Sequence, residues 1–329
     1  MDSNPQTLTK HIMEEERRFP DASGSLTSCL ASIQLACKTI SSAVTRAGMR
    51  NLAGVAGSVN VQGEDQKKLD ILSNDIFINS LRWSGQAAAM VSEENEDILP
   101  GDADGNYVLV FDPLDGSSNI EASVSVGTIF GVYKKTDDPS PEAWALQPGH
   151  AMAAAGYCMY GSSTVLVLST GNGVNGFTLD PEIGEFILTH KNIRIPEKGN
   201  VYSINEGNAS FWSKGITEYV ASKKFPADGA KPYSLRYIGS MVADVHRTLL
   251  YGGIFLYPGD SKSPKGKLRI LYEGFPMSFI CEQAGGKAIW EGGRVLDVKP
   301  TSIHERCPIV LGSAQDVADA AASLAKHDS

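Results

Sequence analysis

Cysteine is scarce in this chain of 329 residues, which has only five, and no two of them form a Cys-x-x-Cys pair. An odd number of cysteines leaves one unpaired in any disulfide scheme. Most of them stand in apolar surroundings, so we interpret them as small core residues and expect no disulfide framework. They are Cys29, Cys37, Cys158, Cys281 and Cys307.

Positive charge is also in short supply, because 29 Lys and Arg face 38 Asp and Glu, giving a net charge of −9. This balance disfavours nucleic acid or an anionic membrane as the main partner. The sequence shows no apolar run of transmembrane length and no signal or transit peptide, so we expect a cytoplasmic protein. It also lacks the Gly-x-x-x-x-Gly-Lys-Ser/Thr loop, the protein-kinase signatures and a Gly-x-Ser-x-Gly elbow. Kinase chemistry and a serine nucleophile are therefore disfavoured.

The most informative segment is Val108–Asn119, which begins with four apolar residues suited to a buried strand. Such a strand delivers Asp112 to its carboxyl end, the edge where open α/β sheets bind ligands, and Pro113 is expected to stop the strand. Asp115 follows three residues after Asp112. The turn Gly116-Ser117-Ser118 is suited to pointing backbone N–H groups at an anion. Two carboxylates are thus predicted beside a phosphate cradle.

Two further acidic clusters precede this segment. Met90–Glu94 is typical of a short apolar strand that ends in the paired acids Glu93 and Glu94, and Asp70 falls on a predicted helix. A single acidic run usually marks a solvated surface, but three runs, two at strand ends, indicate carboxylates that converge on cations. These segments contain no His or Cys, so the predicted ligands are oxygen atoms and favour Mg²⁺ or Mn²⁺ over zinc. The chemistry predicted is metal-assisted phosphoester hydrolysis.

A family resemblance sharpens this prediction. Asp112-Pro-Leu-Asp-Gly-Ser-Ser118 resembles the signature of the lithium-sensitive, metal-dependent sugar and inositol phosphatases. Longer strings are similar to the class I fructose-1,6-bisphosphatase family, and the likeness runs from about Thr7 to the end. These strings are Lys68–Asp75, Val124–Gly131, Gly239–Arg247, Gly252–Pro258 and Ala284–Gly286.

The resemblance implies an α/β fold, a layered α/β/α/β/α sandwich of two mixed-sheet halves. Residues 1–197 would form the half with the regulatory-type helices and most metal ligands, and residues 198–329 the half with the sugar and 6-phosphate site. Pro196–Gly199 is the candidate boundary.

Helical spacing predicts helices over 8–18 and from a cap at Ser25 to Gly48, while the Gly-containing stretch 51–63 is interpreted as a mobile loop or lid.

By the same resemblance, the active site holds two or more cations, and a carboxylate beside them helps to deprotonate the attacking water. Glu94 and Asp70 would take that role, with Glu64 contributed by the loop, where relatives usually have aspartate. Leu114 would contribute its carbonyl oxygen. The implied metal ligands are Glu93, Glu94, Asp112, Leu114, Asp115 and Glu273.

A bisphosphate also needs polar and cationic groups at its distant end. Lys267 and Arg269 alternate along a predicted extended segment, and Tyr237 and Tyr257 carry phenolic O–H donors. In the resembled family, positions matching Asn205, Tyr237, Tyr257 and Lys267 hold the 6-phosphate, and Arg236 reaches in from a neighbouring subunit, which implies a dimer or tetramer. Ser240 and Met241 would border the sugar, the 1-phosphate would rest on Gly116 and Ser117, and Asn208 stands where many relatives have tyrosine.

Animal members of the family bind AMP near their first helices. The matching turn here includes Ser23, Gly24, Ser25 and Thr27, and the tyrosine is kept as Tyr107. The lysine position is Asn106 and the arginine position is Lys134. Because a full charge and a guanidinium fork are lost, we expect AMP inhibition to be weak or absent. The short loop from Lys134 to Ala145 lacks Cys, which disfavours the thiol control of chloroplast members.

The leading hypothesis is hydrolysis of fructose 1,6-bisphosphate in gluconeogenesis. A sedoheptulose-1,7-bisphosphatase or a dual-specificity enzyme is the alternative, because one more sugar carbon alters little in the motifs. A catalytically silent protein that senses a phosphosugar is the non-enzyme alternative. The intact set of acids disfavours it.

Overall fold

The computed structural model describes residues 4–20, 22–49, 54–59, 65–227, 229–291 and 293–327. Within these ranges, the helices carry most of the segments with helical spacing in the sequence. No described helix combines the length and the apolar character that spanning a bilayer requires. The helices are α1 Leu8–Glu16, α2 Ser25–Thr45, α3 Lys68–Ser84, α4 Pro141–Ala145, α5 Lys214–Lys224, α6 Met241–Tyr251, α7 Phe275–Gln283 and α8 Ala314–Ala325.

The strands of the first half are longer than those of the second. In chain order they are β1 Val55–Val59, β2 Asp65–Lys67, β3 Ala87–Ser92, β4 Leu99–Pro100, β5 Tyr107–Asp115, β6 Val126–Lys134, β7 Met152–Tyr160, β8 Thr164–Ser169, β9 Asn175–Asp180, β10 Glu185–His190, β11 Val201–Ser203, β12 Ser234–Leu235, β13 Ile254–Tyr257, β14 Leu268–Arg269, β15 Lys287–Trp290, β16 Gly293–Arg294, β17 Arg306–Cys307 and β18 Ile309–Gly312.

Eight strands form a large mixed sheet in the order β10-β9-β8-β7-β6-β5-β3-β4. β3 and β5 run parallel, with Val91 opposite Val110, whereas β5 and β6 run antiparallel. The first eight residues of β5 are buried, which explains its almost unbroken apolar run. Because β3 and β5 are parallel neighbours, the acids that follow β3 and those at the end of β5 meet at one edge.

Six strands form the smaller mixed sheet in the order β12-β11-β13-β18-β15-β16. β11 lies parallel to both β12 and β13, and β13 pairs antiparallel with β18. Two shorter ribbons, β1 with β2 and β14 with β17, stand apart from these sheets.

Among the described residues, three apolar cores fill the spaces between the layers. One lies between α1, α2, α3 and one face of the large sheet, and a second contains residues of α6 and α7 together with residues of both sheets. The third joins the smaller sheet to α5 and α8. Helix α7 is buried over Phe275–Cys281, as expected for an apolar helix between two sheets. The order of layers is α/β/α/β/α, so the predicted fold class is confirmed.

Several local predictions are corrected. Pro113 does not stop β5, which continues to Asp115 through a register shift against β6 after Asp112. Ser25 is the first residue of α2 rather than its cap, since the cap is Gly24, and α2 ends at Thr45 rather than at Gly48.

The stretch 51–63 was interpreted as a loop, but Val55–Val59 form β1, which pairs with β2. Residues 51–53 and 60–63 lie outside the described residues, and so does Glu64. Pro196–Gly199 falls between β10, the last strand of the large sheet, and β11 of the smaller one. The division into residues 1–197 and 198–329 stays a prediction.

All five cysteines are free and buried, which confirms that they are core residues.

Candidate active site and metal centre

Three carboxylates from two separate parts of the chain converge at the edge of the large sheet. Asp112 and Asp115 lie at the end of β5, and Glu273 comes from the π-helical turn Ile270–Gly274, which precedes α7. One ligand oxygen from each of the three lies within 4.8 Å of those of the other two. Asp112 is 3% exposed and Glu273 is 6% exposed. The predicted acids therefore form a compact, nearly buried cluster.

Backbone N–H groups fix the orientation of each carboxylate. The N–H of Leu114 donates to Asp112 Oδ1 at 2.9 Å, and the N–H of Arg269 donates to Glu273 Oε2 at 2.6 Å. Asp115 Oδ2 accepts from the N–H of Val242 at 3.2 Å, at the start of α6. The three contacts hold the carboxylates close together despite their like charge.

Gly127 lets α6 approach the sheet closely enough for the contact between Asp115 and Val242. A Cβ atom at Gly127 would lie 2.7 Å from the methyl groups of Val242. Real Cβ atoms do not approach other carbon atoms so closely, so a larger residue would push α6 away from β6. The glycine thus helps to place the start of α6 beside the acidic cluster.

Burial raises the pKa values of all three acids, and the charges of neighbouring acids in the cluster add to the rise at Asp112 and Glu273. Burial is the largest cause of the raised pKa of Asp112, followed by the charges of Glu93, Asp115 and Glu273. Burial also raises the pKa of Glu273, with Glu93 and Asp115 adding to it, and raises the pKa of Asp115 to about 6. Ionised carboxylates in this environment need a compensating cation. An all-oxygen set of this kind fits Mg²⁺ or Mn²⁺.

Glu93 and Glu94 follow β3 beside this cluster. The N–H of Glu93 donates to the carbonyl of Phe111 at 3.2 Å, which continues the pairing of β3 with β5. The N–H of Glu94 donates to Ser92 Oγ at 3.3 Å, and that hydroxyl donates to Asn74 Oδ1 of α3 at 2.7 Å. The charge of Glu93 acts directly on Asp112. The structure therefore brings Glu93 to the acids of β5, and Glu94 is its neighbour along the chain.

Asp70 connects the start of α3 to the predicted phosphate turn. Its Oδ2 atom accepts from the N–H of Lys67 at 2.7 Å and from the hydroxyl of Ser117 at 3.2 Å. Gly116 has a φ of 75°, the left-handed region in which glycine is favoured, and the 3₁₀ helix Ser117–Ala122 follows. Asp70 is thus placed next to the backbone on which we predict the 1-phosphate, with Ser118 in the same turn.

A groove leads away from the acids along the second half of the chain. Its first part is lined by Asp115, Tyr237, Met241 and Tyr257, among others. Its second part is lined by the remaining predicted 6-phosphate residues and again by Tyr257. Because Tyr257 lines both parts, the depression beside Asp115 adjoins the pocket of Lys267, which Asp260 also lines. The predicted residues in the second part are Asn205, Asn208, Tyr257 and Lys267.

Asp244 organises the loop that carries Tyr237, and the sequence analysis missed it. Its buried carboxylate accepts from the N–H groups of Ile238 and Gly239 at 3.0 Å and from the hydroxyl of Ser203 at 2.9 Å. Ser240, just after these glycine and isoleucine residues, is buried and lies 3.5 Å from Asp115. A lone acid inside the apolar run Met241–Val245 was the signal for such a buried role.

The two predicted arginines have different surroundings. Arg269 is buried, its guanidinium donates to the carbonyl of Lys267, and its charge lowers the raised pKa of Glu273. It is not among the residues that line the pocket of Lys267. Arg236 is exposed and donates to the carbonyl of Leu235 at 2.8 Å. Lys267, which precedes β14, therefore lines the pocket, whereas Arg269 within β14 lies beside Glu273 of the metal cluster.

The residues that match the AMP site also come together. A depression near the start of α2 is lined by Glu16 as well as by the predicted residues. The hydroxyl of Thr27 donates to Glu16 Oε2. Sequence reasoning missed Glu16, since its position depends on how α1 packs against α2. The predicted residues in this lining are Ser23, Gly24, Ser25, Thr27, Tyr107 and Lys134.

Comparison with known proteins agrees with this geometry. The family model for the fructose-1,6-bisphosphatase N-terminal domain matches residues 6–191, and the model for its C-terminal domain matches residues 195–325. The chain belongs to the fructose-1,6-bisphosphatase family. The family predicted from the motifs is therefore confirmed.

Relatives and solved structures of fructose-1,6-bisphosphatases match almost the whole chain. The "Fructose-1,6-bisphosphatase, cytosolic" of Arabidopsis thaliana is 58% identical over 98% of this chain and 95% of its own length. The spinach protein of the same name, from Spinacia oleracea, is 57% identical over 100% of this chain and 97% of its own. The holo form of Leishmania major fructose-1,6-bisphosphatase superposes with a TM-score of 0.92 at 45% identity, covering 97% of this chain and 99% of that one.

Proposed function

We propose that this protein hydrolyses the 1-phosphate of fructose 1,6-bisphosphate to give fructose 6-phosphate and inorganic phosphate, as a step of gluconeogenesis in the cytosol. The observation that carries the proposal is the continuous arrangement of an acidic cluster and a lysine-containing pocket that share Tyr257. A sugar with a phosphate at each end matches that arrangement, since one end needs cations and the other needs donors. The identity to named fructose-1,6-bisphosphatases over nearly the full chain supports the same activity.

Mg²⁺ or Mn²⁺, two or more ions per site, would be held by carboxylates and one backbone carbonyl. When bound, such ions neutralise phosphate charge and lower the pKa of the attacking water. The ligands would be Glu93, Glu94, Asp112, Leu114 through its carbonyl, Asp115 and Glu273.

The residues of the chain then divide the remaining work. Glu94 and Asp70 accept the proton of the water, with Glu64 assisting, and the water oxygen forms a bond to phosphorus. The bond between phosphorus and the C1 oxygen breaks, and that oxygen leaves with the sugar and takes up the proton that the water gave up, which restores the carboxylate. The N–H groups of Gly116 and Ser117 hold the 1-phosphate, because a turn that opens a helix presents donors to anions.

The distal phosphate would lie on Lys267, Asn205, Tyr237 and Tyr257, where charge-assisted hydrogen bonds give orientation as well as affinity. Asn208 offers an amide donor in the same pocket. Ser240 and Met241 would border the sugar between the two phosphates. Arg269, which is buried beside Glu273, would balance charge at the metal centre rather than bind the phosphate directly.

We also propose that the protein works as a dimer or tetramer in which Arg236 completes the pocket of a neighbouring subunit. Arg236 is exposed and held to the backbone at Leu235, so its guanidinium is presented at the surface. The residue is the first of the loop that Asp244 holds in place. Such a position is suited to a contact between subunits.

One assay tests the activity. Purified protein with Mg²⁺ is expected to release phosphate from fructose 1,6-bisphosphate, and EDTA is expected to stop the release. Sedoheptulose 1,7-bisphosphate in parallel decides between the two sugar bisphosphates. If neither substrate is hydrolysed, the proposed function is wrong, and a sensing role becomes the better explanation.

A further inference from the structure

We propose that His304 is a positioning residue for the metal centre, holding the loop that carries Glu93 and Glu94 against the turn that carries Glu273. The inference rests on the proposed function only in taking these acids as metal ligands. The ring of His304 contacts backbone carbonyls of one segment and the hydroxyl of Tyr272 on the other, and so connects the two segments that carry these acids.

The ring of His304 makes contacts on both sides. Its Nε2 atom lies 3.0 Å from the carbonyl oxygen of Asn95 and 3.2 Å from that of Glu96. Its Nδ1 atom lies 2.9 Å from the hydroxyl of Tyr272, the residue before Glu273. Carbonyl oxygens only accept, so Nε2 carries the proton and donates to them. In the neutral ring, Nδ1 then accepts from the Tyr272 hydroxyl, and every contact is satisfied.

The segment that carries His304 is itself tightly held. The N–H of Ile270, the first residue of the π-helical turn, donates to the carbonyl of Glu305 at 2.9 Å. The carboxylate of Glu305 accepts from the backbone N–H and the hydroxyl of Thr301, which closes the turn over 301–305. Tyr272 is fully buried, and its ring packs edge-on against His304 at 5.9 Å between centroids. The imidazole is therefore fixed against the turn of Glu273.

The loop over 93–97 needs such a restraint, because it brings more negative charge to an acidic cluster. The charges of Glu93 and Glu273 act unfavourably on each other when no cation is present. The contacts of Ser92 and Asn74 hold the start of this loop, and Asn95 Oδ1 also accepts from Asn74 Nδ2 at 2.9 Å. His304 adds the restraint that comes from the other half of the chain. It lowers the cost of bringing the acids together before a cation binds.

Direct binding of Mn²⁺ to the substrate-free protein, followed by the electron paramagnetic resonance of free Mn²⁺, tests the inference. His304→Leu removes both hydrogen bonds and keeps an apolar side chain, and we expect it to weaken Mn²⁺ binding about tenfold. Tyr272→Phe removes one contact and should weaken binding less. His304→Gln keeps an amide N–H for the carbonyls of Asn95 and Glu96, so it should recover most of the affinity.

The matched control is His150→Leu. His150 Nδ1 lies 3.1 Å from the backbone carbonyl oxygen of Leu296 and 3.1 Å from Asp297 Oδ1, and neither partner belongs to the segments that carry the proposed metal ligands. We expect this variant to bind Mn²⁺ as the wild type does. For hydrolysis, His304→Leu should raise the half-saturating Mg²⁺ concentration by a similar factor while kcat at saturating Mg²⁺ changes less than about twofold.

Wild-type Mn²⁺ affinity in folded His304→Leu would overturn the inference, and so would an equal loss in His150→Leu. If His304→Leu does not fold, Tyr272→Phe decides the question, since wild-type affinity there removes the bridge between the two segments. A wild-type protein that binds Mn²⁺ but hydrolyses no sugar bisphosphate contradicts the proposed function alone. If the wild type hydrolyses the sugar bisphosphate but His304→Leu and Tyr272→Phe bind Mn²⁺ with wild-type affinity, only the role of His304 is contradicted.

Discussion

Two depressions of this molecule combine carboxylates with the start of a helix, yet they differ in what their carboxylates require. Near the start of α2, Glu16 accepts a hydrogen bond from Thr27 of the same chain. At the other site, Asp112, Asp115 and Glu273 crowd within 4.8 Å and repel one another. Glu16, next to a helix start, is stabilised by the helix dipole and a hydroxyl donor, and Glu15, which also lines this depression, is paired with Arg18. Three crowded carboxylates, of which Asp112 and Glu273 are buried, need cations from outside.

The difference explains how similar local features lead to different chemistry. A phosphate that approached the start of α2 would meet the negative charge of Glu16. A phosphate that approached Gly116 would meet the cations bound by the acidic cluster. The number and burial of the carboxylates, rather than the helix start itself, decide whether a site attracts an anion.

The largest expected effect comes from removing one charge from the acidic site. Glu94→Gln should lower kcat for phosphate release by at least about 10³-fold, because the amide neither binds a dication well nor accepts the proton of water. The fold should be retained, since glutamine has nearly the same volume. Phosphate release at saturating Mg²⁺ measures the loss, and circular dichroism with thermal unfolding checks the fold.

Glu96→Gln is the control for that variant. Glu96 is exposed, stands two residues along the same loop and uses its backbone carbonyl to accept from His304. Its side chain is expected to leave turnover unchanged. Wild-type turnover in Glu94→Gln would contradict the catalytic role of Glu94 and place the essential charge elsewhere.

The next effect is on stability, and it sharpens the contrast between the two sites. Burial raises the pKa of Asp115 from 3.8 to about 6, and those of Asp112 and Glu273 are raised well above their ordinary values. The metal-free folded state therefore binds protons that the unfolded state has released. Stability from these groups is complete below pH 4 and is lost as the pH rises through 6 and beyond.

Urea unfolding in EDTA should show this loss between pH 5 and pH 8. We expect Asp115 to account for about 2 kcal/mol, a value reduced for its partial exposure. Saturating Mg²⁺ should flatten the dependence, and Asp115→Asn should reduce it in EDTA. The same slope with and without Mg²⁺ would show that cations do not relieve the repulsion among these acids.

The acids of the site show which features could be predicted from the sequence. The sequence pattern predicted the carboxylates at the ends of β3 and β5, because buried parallel strands have a recognisable apolar pattern and end at one edge of the sheet. The layered fold class was implied by the family resemblance. The residues alone did not connect Glu273 to Asp112. That pairing depends on the π-helical turn and on the packing of two distant segments, and only the family resemblance supplied it.

Other features depended on packing that no local pattern encodes. Pro113 was expected to stop β5, but the register shift between Asp112 and Asp115 absorbs it. Asp244 and His304 act through hydrogen bonds to backbone groups, those of Asp244 in a neighbouring loop and those of His304 far along the chain. Short-range patterns in the sequence show one acid and one histidine, but they do not show the backbone groups that these side chains bind.

A smaller effect is expected at the distal end of the groove. Lys267→Met should raise KM for fructose 1,6-bisphosphate by about tenfold to thirtyfold, the range for losing one charge-assisted hydrogen bond to phosphate. The change in kcat should be smaller, because the acids and the phosphate turn stay in place. Initial rates over a range of substrate concentrations separate the two constants.

Lys265→Met is the matched control, since Lys265 is exposed and does not line the pocket of Lys267. It should leave KM unchanged, apart from a weak effect of net charge at low salt. An equal rise of KM in both variants would mean that the pocket attracts substrate through its general field. The proposed specific contact between Lys267 and the distal phosphate would then be wrong.

The smallest effect concerns the depression near α2, where we propose that AMP binds weakly. Micromolar AMP should leave the turnover of the wild type almost unchanged at saturating Mg²⁺, because Glu16 is held at Thr27 and Asn106 and Lys134 replace stronger phosphate donors. Combining Glu16→Gln with Asn106→Lys and Lys134→Arg should raise the AMP affinity measured by calorimetry. Glu16→Gln alone separates the effect of removing the negative charge from that of adding donors. Strong inhibition of the wild type by micromolar AMP would contradict the contrast between the two depressions, since the carboxylate of Glu16 would then not prevent an anion from binding there.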